Sequence, residues 1–360
     1  MKLRPDRNSR KRATGRSTHA VGLDIGATSI RATVLTLSSR DGRPSATVSA
    51  AGSMPLPPGA VVNGLVTDPA VVTQALKKLW AGKGFRSRDV IVGMANPQVV
   101  VRSLQIPNLS AEQRAKALPF QAREIIALPM DEVILDYVQL GDPDAATGLV
   151  SGLLIASPRR PVLAAVAAVE RAGLTVARVD LSSFGALRST ADEHLAVQAV
   201  IDVGAHLTSI IIHNHGVPAL VRTLARGGEQ LTELLADSLE IGPDEAERLK
   251  RERGLTVRGD AASDALNAGI RPLLAEIRSS INYFRAGSDG ALIEGISLTG
   301  GGAALPGLAA ALSTQNNVPT TVVTPLRHLV GSPSAGEPGA FDPTSMASAV
   351  SIGLAMGAAA

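Results

Sequence analysis

The chain has 360 residues, 45% of them hydrophobic and 19% charged, enough for two domains with full cores and ordinary for a soluble α/β protein. No eighteen apolar residues run uninterrupted, so no membrane-spanning helix is expected, and the absence of cysteine excludes disulfides and thiolate metal sites. The formal charge of +3 conceals an asymmetry: residues 1–19 hold seven basic residues against Asp6, a net of +6, while the remainder carries 28 basic and 31 acidic groups, a net of −3.

Poor in apolar residues, the tail 1–19 is expected to be disordered. It reads either as a solubilising extension or as a contact for anionic lipid, worth about 1 kcal/mol per basic residue near a charged leaflet. Nucleic acid is not expected as a partner, because eight aromatic residues leave little for base stacking. No apolar h-region follows the start, so a signal peptide is not expected and the default location is cytoplasmic.

From Val21 the chain reads V-G-L-D-I-G-A-T-S-I-R, two apolar runs joined by a turn. This pattern predicts a β-hairpin with Asp24 at a strand end and Gly26, Ala27, Thr28 and Ser29 at its tip. Gly26 has no side chain, so backbone N–H groups can approach a phosphate there, and Asp24 can hold a hydrated Mg²⁺ beside it. Ala46–Leu56 reads as a third strand. Asp68-Pro69 marks a helix start, with Val71, Leu76, Leu79 and Trp80 making an amphipathic helix to about Gly82; Trp80 is read as core.

Residues 87–180 read as an insertion of the pattern β-β-α-β-β-α-β. Its strands are Val90–Met94, Gln98–Ile106, Glu132–Leu140, Leu149–Ala156 and Leu174–Leu181. Ser110-x-x-Gln113 is a capping box opening a helix expected to reach Ala127, interrupted by Pro119. Ser157-Pro158 is expected to cap the second helix, which ends at Gly173.

The first hairpin then returns: A-V-I-D-V-G-A-H-L-T-S over residues 199–209 places Asp202 and Gly204 as Asp24 and Gly26 are placed. Two such hairpins suggest a duplicated domain whose phosphate loops face each other. Val217–Leu224 is the next strand. Gly227 and Gly228 then open a helix, where they touch phosphate or ribose or simply make a tight turn; the residues leave both open. Glu247 and Lys250, three apart on one helix face, read by themselves as a surface ion pair. Asp260–Ala286 is one long helix with an apolar stripe from Leu266 to Phe284. Ile296–Thr299 is a strand running into Gly300, Gly301 and Gly302, where bare backbone can lie flat against a nucleoside before a helix opening at Leu305-Pro306. Val318–Val323 is a strand, Gly331–Pro343 a flexible loop, and Met346–Gly357 a closing helix. The six histidines show no metal spacing, and no nucleophile motif such as G-x-S-x-G is present.

In this order and spacing, the three glycine elements resemble the phosphate-1, phosphate-2 and adenosine motifs of the actin, Hsp70 and sugar-kinase superfamily. Ile106-Pro107, Leu118 to Ile126, Pro129-Met130-Asp131-Glu132-Val133, Leu135-Asp136-Tyr137 and Ala172-Gly173-Leu174 resemble, more narrowly, the PilM family of type IV pilus assembly proteins, FtsA-like actin homologues. The resemblance implies an α/β, actin-like (ribonuclease H-like) fold of duplicated domains around a nucleotide cleft. The first domain begins over 20–86, 87–180 is an inserted α+β 1C-type subdomain, and 181–360 forms the second domain and completes the first.

It implies ATP and Mg²⁺ as cofactors, with Asp24 and Asp202 on the metal, and a ribose contact from Glu247 and Lys250. It implies a partner too: the N-terminal peptide of a PilN-like bitopic inner-membrane protein, docked at the insertion, with a pilus assembly ATPase as a further candidate. The protein would then sit on the inner face of the cytoplasmic membrane. Where MreB-type relatives carry a water-orienting Glu, this chain has Ser182, so hydrolysis is expected to be slow or absent. The alternatives are a sugar or small-molecule kinase of the same superfamily, for which no general base is evident, and an FtsA- or MreB-like filament former.

Overall fold

In the computed structural model, residues 18–40, 43–82, 85–255, 259–288, 291–325 and 345–358 are described. The tail up to residue 17 and the expected loop Gly331–Pro343 lie outside them. Residues 18 and 19, expected in the tail, begin the first strand.

The apolar-polar alternation on either side of Asp24 folds as a hairpin. β1 (Thr18–Ile25) and β2 (Ser29–Arg40) pair antiparallel from Thr18↔Leu37 to Ile25↔Ile30, and β3 (Arg43–Pro55) adds to β2. A small hairpin of β4 (Val61–Val62) and β5 (Leu65–Val66) precedes α1 (Pro69–Ala81). Asp68 caps that helix by accepting from the N–H groups of Ala70 and Val71 at 3.0 and 3.1 Å. Its stripe of Val72, Ala75, Leu76 and Leu79 is buried on the sheet. Trp80 packs on Phe85 at 5.0 Å between ring centroids and donates to the Ser87 carbonyl, a core role as expected.

The next strand, β6 (Asp89–Met94), lies parallel to β1 inside this sheet, not in a separate insertion. β7 (Val100–Pro107), α2 (Ala111–Ala122), β8 (Val133–Gln139) and β9 (Leu149–Pro158) follow, then α3 (Arg159–Arg171) and β10 (Thr175–Leu181). β10 pairs parallel with β6, giving a first sheet in the order β10-β6-β1-β2-β3. α3 packs its Val162, Ala165, Val166 and Val169 into the same core as α1. Both ends of the expected 87–180 insertion thus belong to the first domain. The near-continuous apolar run of β6, with Val90 and Val92 fully buried, is that of an interior parallel strand covered on both faces. What stands apart is the three-stranded sheet β7-β9-β8 with α2 over it.

Two helix ends differ from expectation. The capping box of α2 forms, Ser110 and Gln113 exchanging hydrogen bonds, but the helix stops at Ala122 and not at Ala127. Pro119 lacks the N–H that would hold the preceding turn, and the chain leaves the helix within one turn of it. Ser157 remains in β9 and does not cap α3; its hydroxyl donates to the Pro158 carbonyl at 3.4 Å.

α4 (Ser182–Thr190) leads to the second domain, where β11 (Val197–Val203), β12 (Thr208–Asn214) and β13 (Val217–Leu224) repeat the opening meander. α5 (Glu229–Leu239), α6 (Pro243–Arg253) and α7 (Ala261–Gly287) cover one face, and Asp260 caps α7 through the Ser263 N–H. β14 (Gly295–Thr299), α8 (Leu308–Asn316) and β15 (Thr320–Val322) complete the sheet β13-β12-β11-β14-β15. In each sheet an antiparallel three-strand meander is flanked, beside its first strand, by two parallel strands. The duplication read from the two Asp-x-Gly hairpins is therefore present in the sheet topology.

Finally α9 (Ala349–Met356) returns to the first domain, where Leu354 joins Ile91, Phe184 and Leu187 in one apolar cluster and Ala355 joins Ala20 and Leu35 in another. Among the described residues, no helix is long and apolar enough to cross a membrane.

Candidate functional site

The tips of the two hairpins meet across a cleft of about 510 Å³. Asp24, Gly26, Ala27 and Thr28 line it from the first domain, and Asp202, Gly204, Gly227, Gly228, Glu247, Lys250, Gly300, Gly301 and Gly302 from the second. Ser29 does not reach it; it is buried at the foot of the first turn.

The two turns close alike. Gly26 N–H donates to the Ser29 carbonyl at 3.0 Å, and Gly204 N–H to the Leu207 carbonyl at 2.8 Å. The glycine N–H groups are thus spent inside their own turns. The N–H groups of Ala27, Thr28, Ala205 and His206 have no hydrogen bond among the described residues, so an anion at the tips would meet those.

Of the later glycines, most serve close passage of backbone. A Cβ on Gly227 would stand 2.2 Å from the Ala205 carbonyl oxygen, and Gly228 N–H donates to the Gly204 carbonyl at 2.9 Å. The pair docks the start of α5 onto the second hairpin, which favours the tight-turn reading. Gly300 has φ +85, and a Cβ there would lie 2.2 Å from Asp202 Oδ1; one on Gly302 would strike the Val203 side chain at 2.4 Å. Gly301 differs. A Cβ there would meet nothing within 4 Å, so its bare backbone faces open cleft.

Glu247 and Lys250 do not form a surface pair. Lys250 is 9% exposed, and its ammonium donates to the Gly228 carbonyl (2.9 Å), Thr232 Oγ1 (2.7 Å) and Glu247 Oε2 (2.5 Å), which uses all three donors. It staples α6 to α5. Burial would raise the Glu247 carboxyl, but hydrogen bonds from Lys250, Arg251 and Thr232 outweigh it and hold the group below its ordinary range.

The paired aspartates carry the electrostatics. Burial pushes Asp24 above the ordinary carboxylate range, with Arg31 pulling the other way. Burial and the charge of Asp24 push Asp202 up to about 7, again against Arg31. Among the described residues no group of three or more His, Asp or Glu is placed to hold a metal. Mg²⁺ asks for less: it is commonly held through one or two carboxylates, with waters and substrate phosphates completing its shell. Two crowded carboxylates at the cleft floor fit that requirement.

Arg31 and His206, both lining the cleft, are not among the residues the motifs single out. Counting the hairpin register would have found Arg31, which stands directly opposite Asp24. The first domain's wall is otherwise apolar (Ile25, Pro58, Val61, Val66, Met94), and Asp24 is its one carboxylate among the described residues. Ser182 also lines the cleft, 5% exposed, whereas Asp180 turns away to pair with Arg188 at 2.8 Å.

Comparison with known proteins agrees with this architecture. The family described as "Type IV pilus assembly protein PilM" matches residues 22–359. A solved "PilM-PilN type IV pilus biogenesis complex" is 29% identical, covering 94% of this chain and 98% of that one, with a TM-score of 0.80. The ethanolamine utilization protein EutJ from Carboxydothermus hydrogenoformans, 18% identical over 93% of this chain and 90% of its own at a TM-score of 0.52, shares the fold. The cell division protein FtsA of Bacillus subtilis strain 168 is 24% identical over 204 residues, 51% of this chain and less than half (46%) of its own length. FtsA of Streptococcus pneumoniae D39 is 26% identical over 331 residues, 80% of this chain and 71% of its own.

Proposed function

The chain belongs to the PilM family of type IV pilus assembly proteins, with an actin-like α/β fold, and from that premise we propose that it is an ATP-holding scaffold of the pilus assembly machinery. The observation that carries the nucleotide reading is the pair of identically closed turns facing one cleft, with unused tip N–H groups on each and an unobstructed Gly301 between them. The tips would take the phosphates of ATP, and the open backbone at Gly301 its nucleoside. Asp24 and Asp202 would hold Mg²⁺, whose charge would screen the phosphates from the two carboxylates. Because Lys250 is fully engaged, a ribose contact falls to Glu247 alone.

The cleft holds ATP and turns it over slowly. Ser182 is a far weaker base than a carboxylate, and losing a general base costs on the order of 10²–10⁴ in rate. A kinase acceptor would need a base on the first domain's wall, where the one carboxylate among the described residues, Asp24, is the one assigned to Mg²⁺.

The partner is the N-terminal peptide of a PilN-like membrane protein, which places the scaffold at the inner face of the cytoplasmic membrane; the PilM-PilN complex among the similar structures supports this. Its dock is the β7-β9-β8 sheet with α2, where a sheet edge beside a helix offers backbone pairing and side-chain pockets. Calorimetry with ATP and Mg²⁺ tests the cleft: wild type binds, Asp24→Ala binds far more weakly, and equal affinity overturns the assignment. Replacing residues 100–158 by a short linker tests the dock, since that deletion spares β6 and β10. Loss of PilN-peptide capture with ATP binding retained is expected, and undiminished capture overturns it.

A further inference from the structure

We propose that Arg31 is the resident counter-cation of the Asp24–Asp202 pair, occupying electrostatically the place that a divalent ion takes when nucleotide enters. The inference rests on the nucleotide reading of the cleft and concerns how its charge is balanced before the ligand arrives.

Arg31 is the cross-strand partner of Asp24 in the β1–β2 ladder, so the two side chains share a face of the sheet. Its Nη1 lies 3.7 Å from Asp24 Oδ2, too long for a directed hydrogen bond. Among the described residues the guanidinium makes no hydrogen bond at all, so charge alone holds it there and its donors remain for another acceptor. It rests against the bare turn: a Cβ on Gly26 would stand 3.6 Å from Nη1. Arg31, Asp24 and Asp202 all line the same cleft, so among the described residues the guanidinium is the cation nearest the first carboxylate and faces the space in front of the second. One guanidinium thus stands beside Asp24 on the wall of the cleft that Asp202 lines from the second domain.

This arrangement cannot persist unchanged beside Mg²⁺. A cation held by the same carboxylates is repelled by Arg31 at close range in a partly buried site, where like charges interact strongly. Metal entry displaces the guanidinium from the pair, and its unused donors face the tips where the phosphates lie. Arg31 thus opposes metal binding in the empty site and supports nucleotide binding when metal is scarce. A residue that only touched phosphate would do neither selectively.

The test uses the full chain and two titrations: Mn²⁺ alone, followed by the magnetic resonance signal of the free ion, and ATP in EDTA or in excess Mg²⁺, followed by calorimetry. In the absence of nucleotide, Arg31→Gln binds Mn²⁺ about tenfold or more tightly than wild type, by the same reasoning that one neighbouring charge moves a proton affinity by one to three decades. Arg31→Lys, which keeps the charge, stays near wild type. For ATP, Arg31→Gln loses more affinity in EDTA than in Mg²⁺. Unchanged or weaker Mn²⁺ binding in Arg31→Gln overturns the proposal, as does an equal loss of ATP affinity in the two media. Melting curves check folding, and Arg31→Met, which keeps the apolar stem, is read by the same criteria if the Gln variant is unfolded. Wild-type protein that binds no ATP in either medium refutes the nucleotide reading itself, a result distinct from these.

Discussion

Gly353 of α9 crosses Gly185 of α4 so closely that a Cβ on Gly353 would lie 1.7 Å from the Gly185 carbonyl oxygen. The crossing is backbone on backbone, with no flexible side chain to give way. Gly353→Ala must push the two helices apart, and overpacking of this kind costs about 1–3 kcal/mol or more. Chemical denaturation of the variant should show that loss; unchanged stability would mean that the helices slide freely.

Gly301 and Gly300 separate ligand effects from fold effects. Gly301→Val projects into open cleft, so ATP affinity should fall at least tenfold while the melting temperature stays within a degree or two. Gly300→Ala meets both a left-handed φ of +85 and Asp202 Oδ1, so it should lower stability as well. Calorimetry and thermal melts on both variants read the contrast.

Lys250→Met tests the staple between α5 and α6. It removes the ammonium that ties the Gly228 carbonyl and Thr232 hydroxyl to Glu247 on α6; both groups keep other partners, so the loss is that of hydrogen bonds to a charged group, about 1.5–3 kcal/mol each at most. The nucleotide-free protein should be measurably less stable. If Lys250 served ribose alone, that protein would be unaffected and only the nucleotide affinity would drop.

Burial, and secondarily the neighbouring His215, lowers the His213 pKa below its ordinary 6.5. Its Nδ1 accepts from Gly216 N–H at 3.1 Å and its Nε2 faces Gln198 Oε1 at 3.2 Å, so the ring is held neutral. Below pH 6.5 the unfolded chain takes up this proton and the folded one does not, so stability rises with pH through the window between the folded value and 6.5. Denaturation at pH 5 and 7 should show a smaller difference for His213→Gln than for wild type.

ATP turnover should lie well below about 1 s⁻¹, the low end of ordinary enzymes. Single-turnover assays with Mg²⁺ and saturating protein measure it directly. A rate of several per second would show that another group orients the attacking water despite Ser182.

Both hairpins were legible because each packs its signal into eleven residues, and their duplication followed from the repeat. Sheet membership was not, since Val90–Met94 is apolar throughout whether it edges an insertion or lies beside β1; only its neighbour decides. The same holds for Lys250. Its spacing to Glu247 is visible along one helix, but burial comes from Thr232 and Gly228, on or beside α5, about twenty residues earlier. Glycine patterns located the cleft without revealing that Gly227, Gly300 and Gly302 are packed closely against Ala205, Asp202 and Val203 while Gly301 faces open space.

The placement of α9 sets a schedule for the protein's birth. Thr33 and Ser351 share a buried hydrogen bond of 2.8 Å across 318 positions of sequence, and Gly22 is packed against the Ser351 carbonyl. While the ribosome is still reading the second domain, the first has its strands but no cover for that face of β1. From the end of β10 at Leu181 until Ala349 that apolar side lacks its helix, the condition in which nascent chains recruit chaperones or pair wrongly. The first domain therefore gains the cover of that face only after the strands of the second domain have been synthesised.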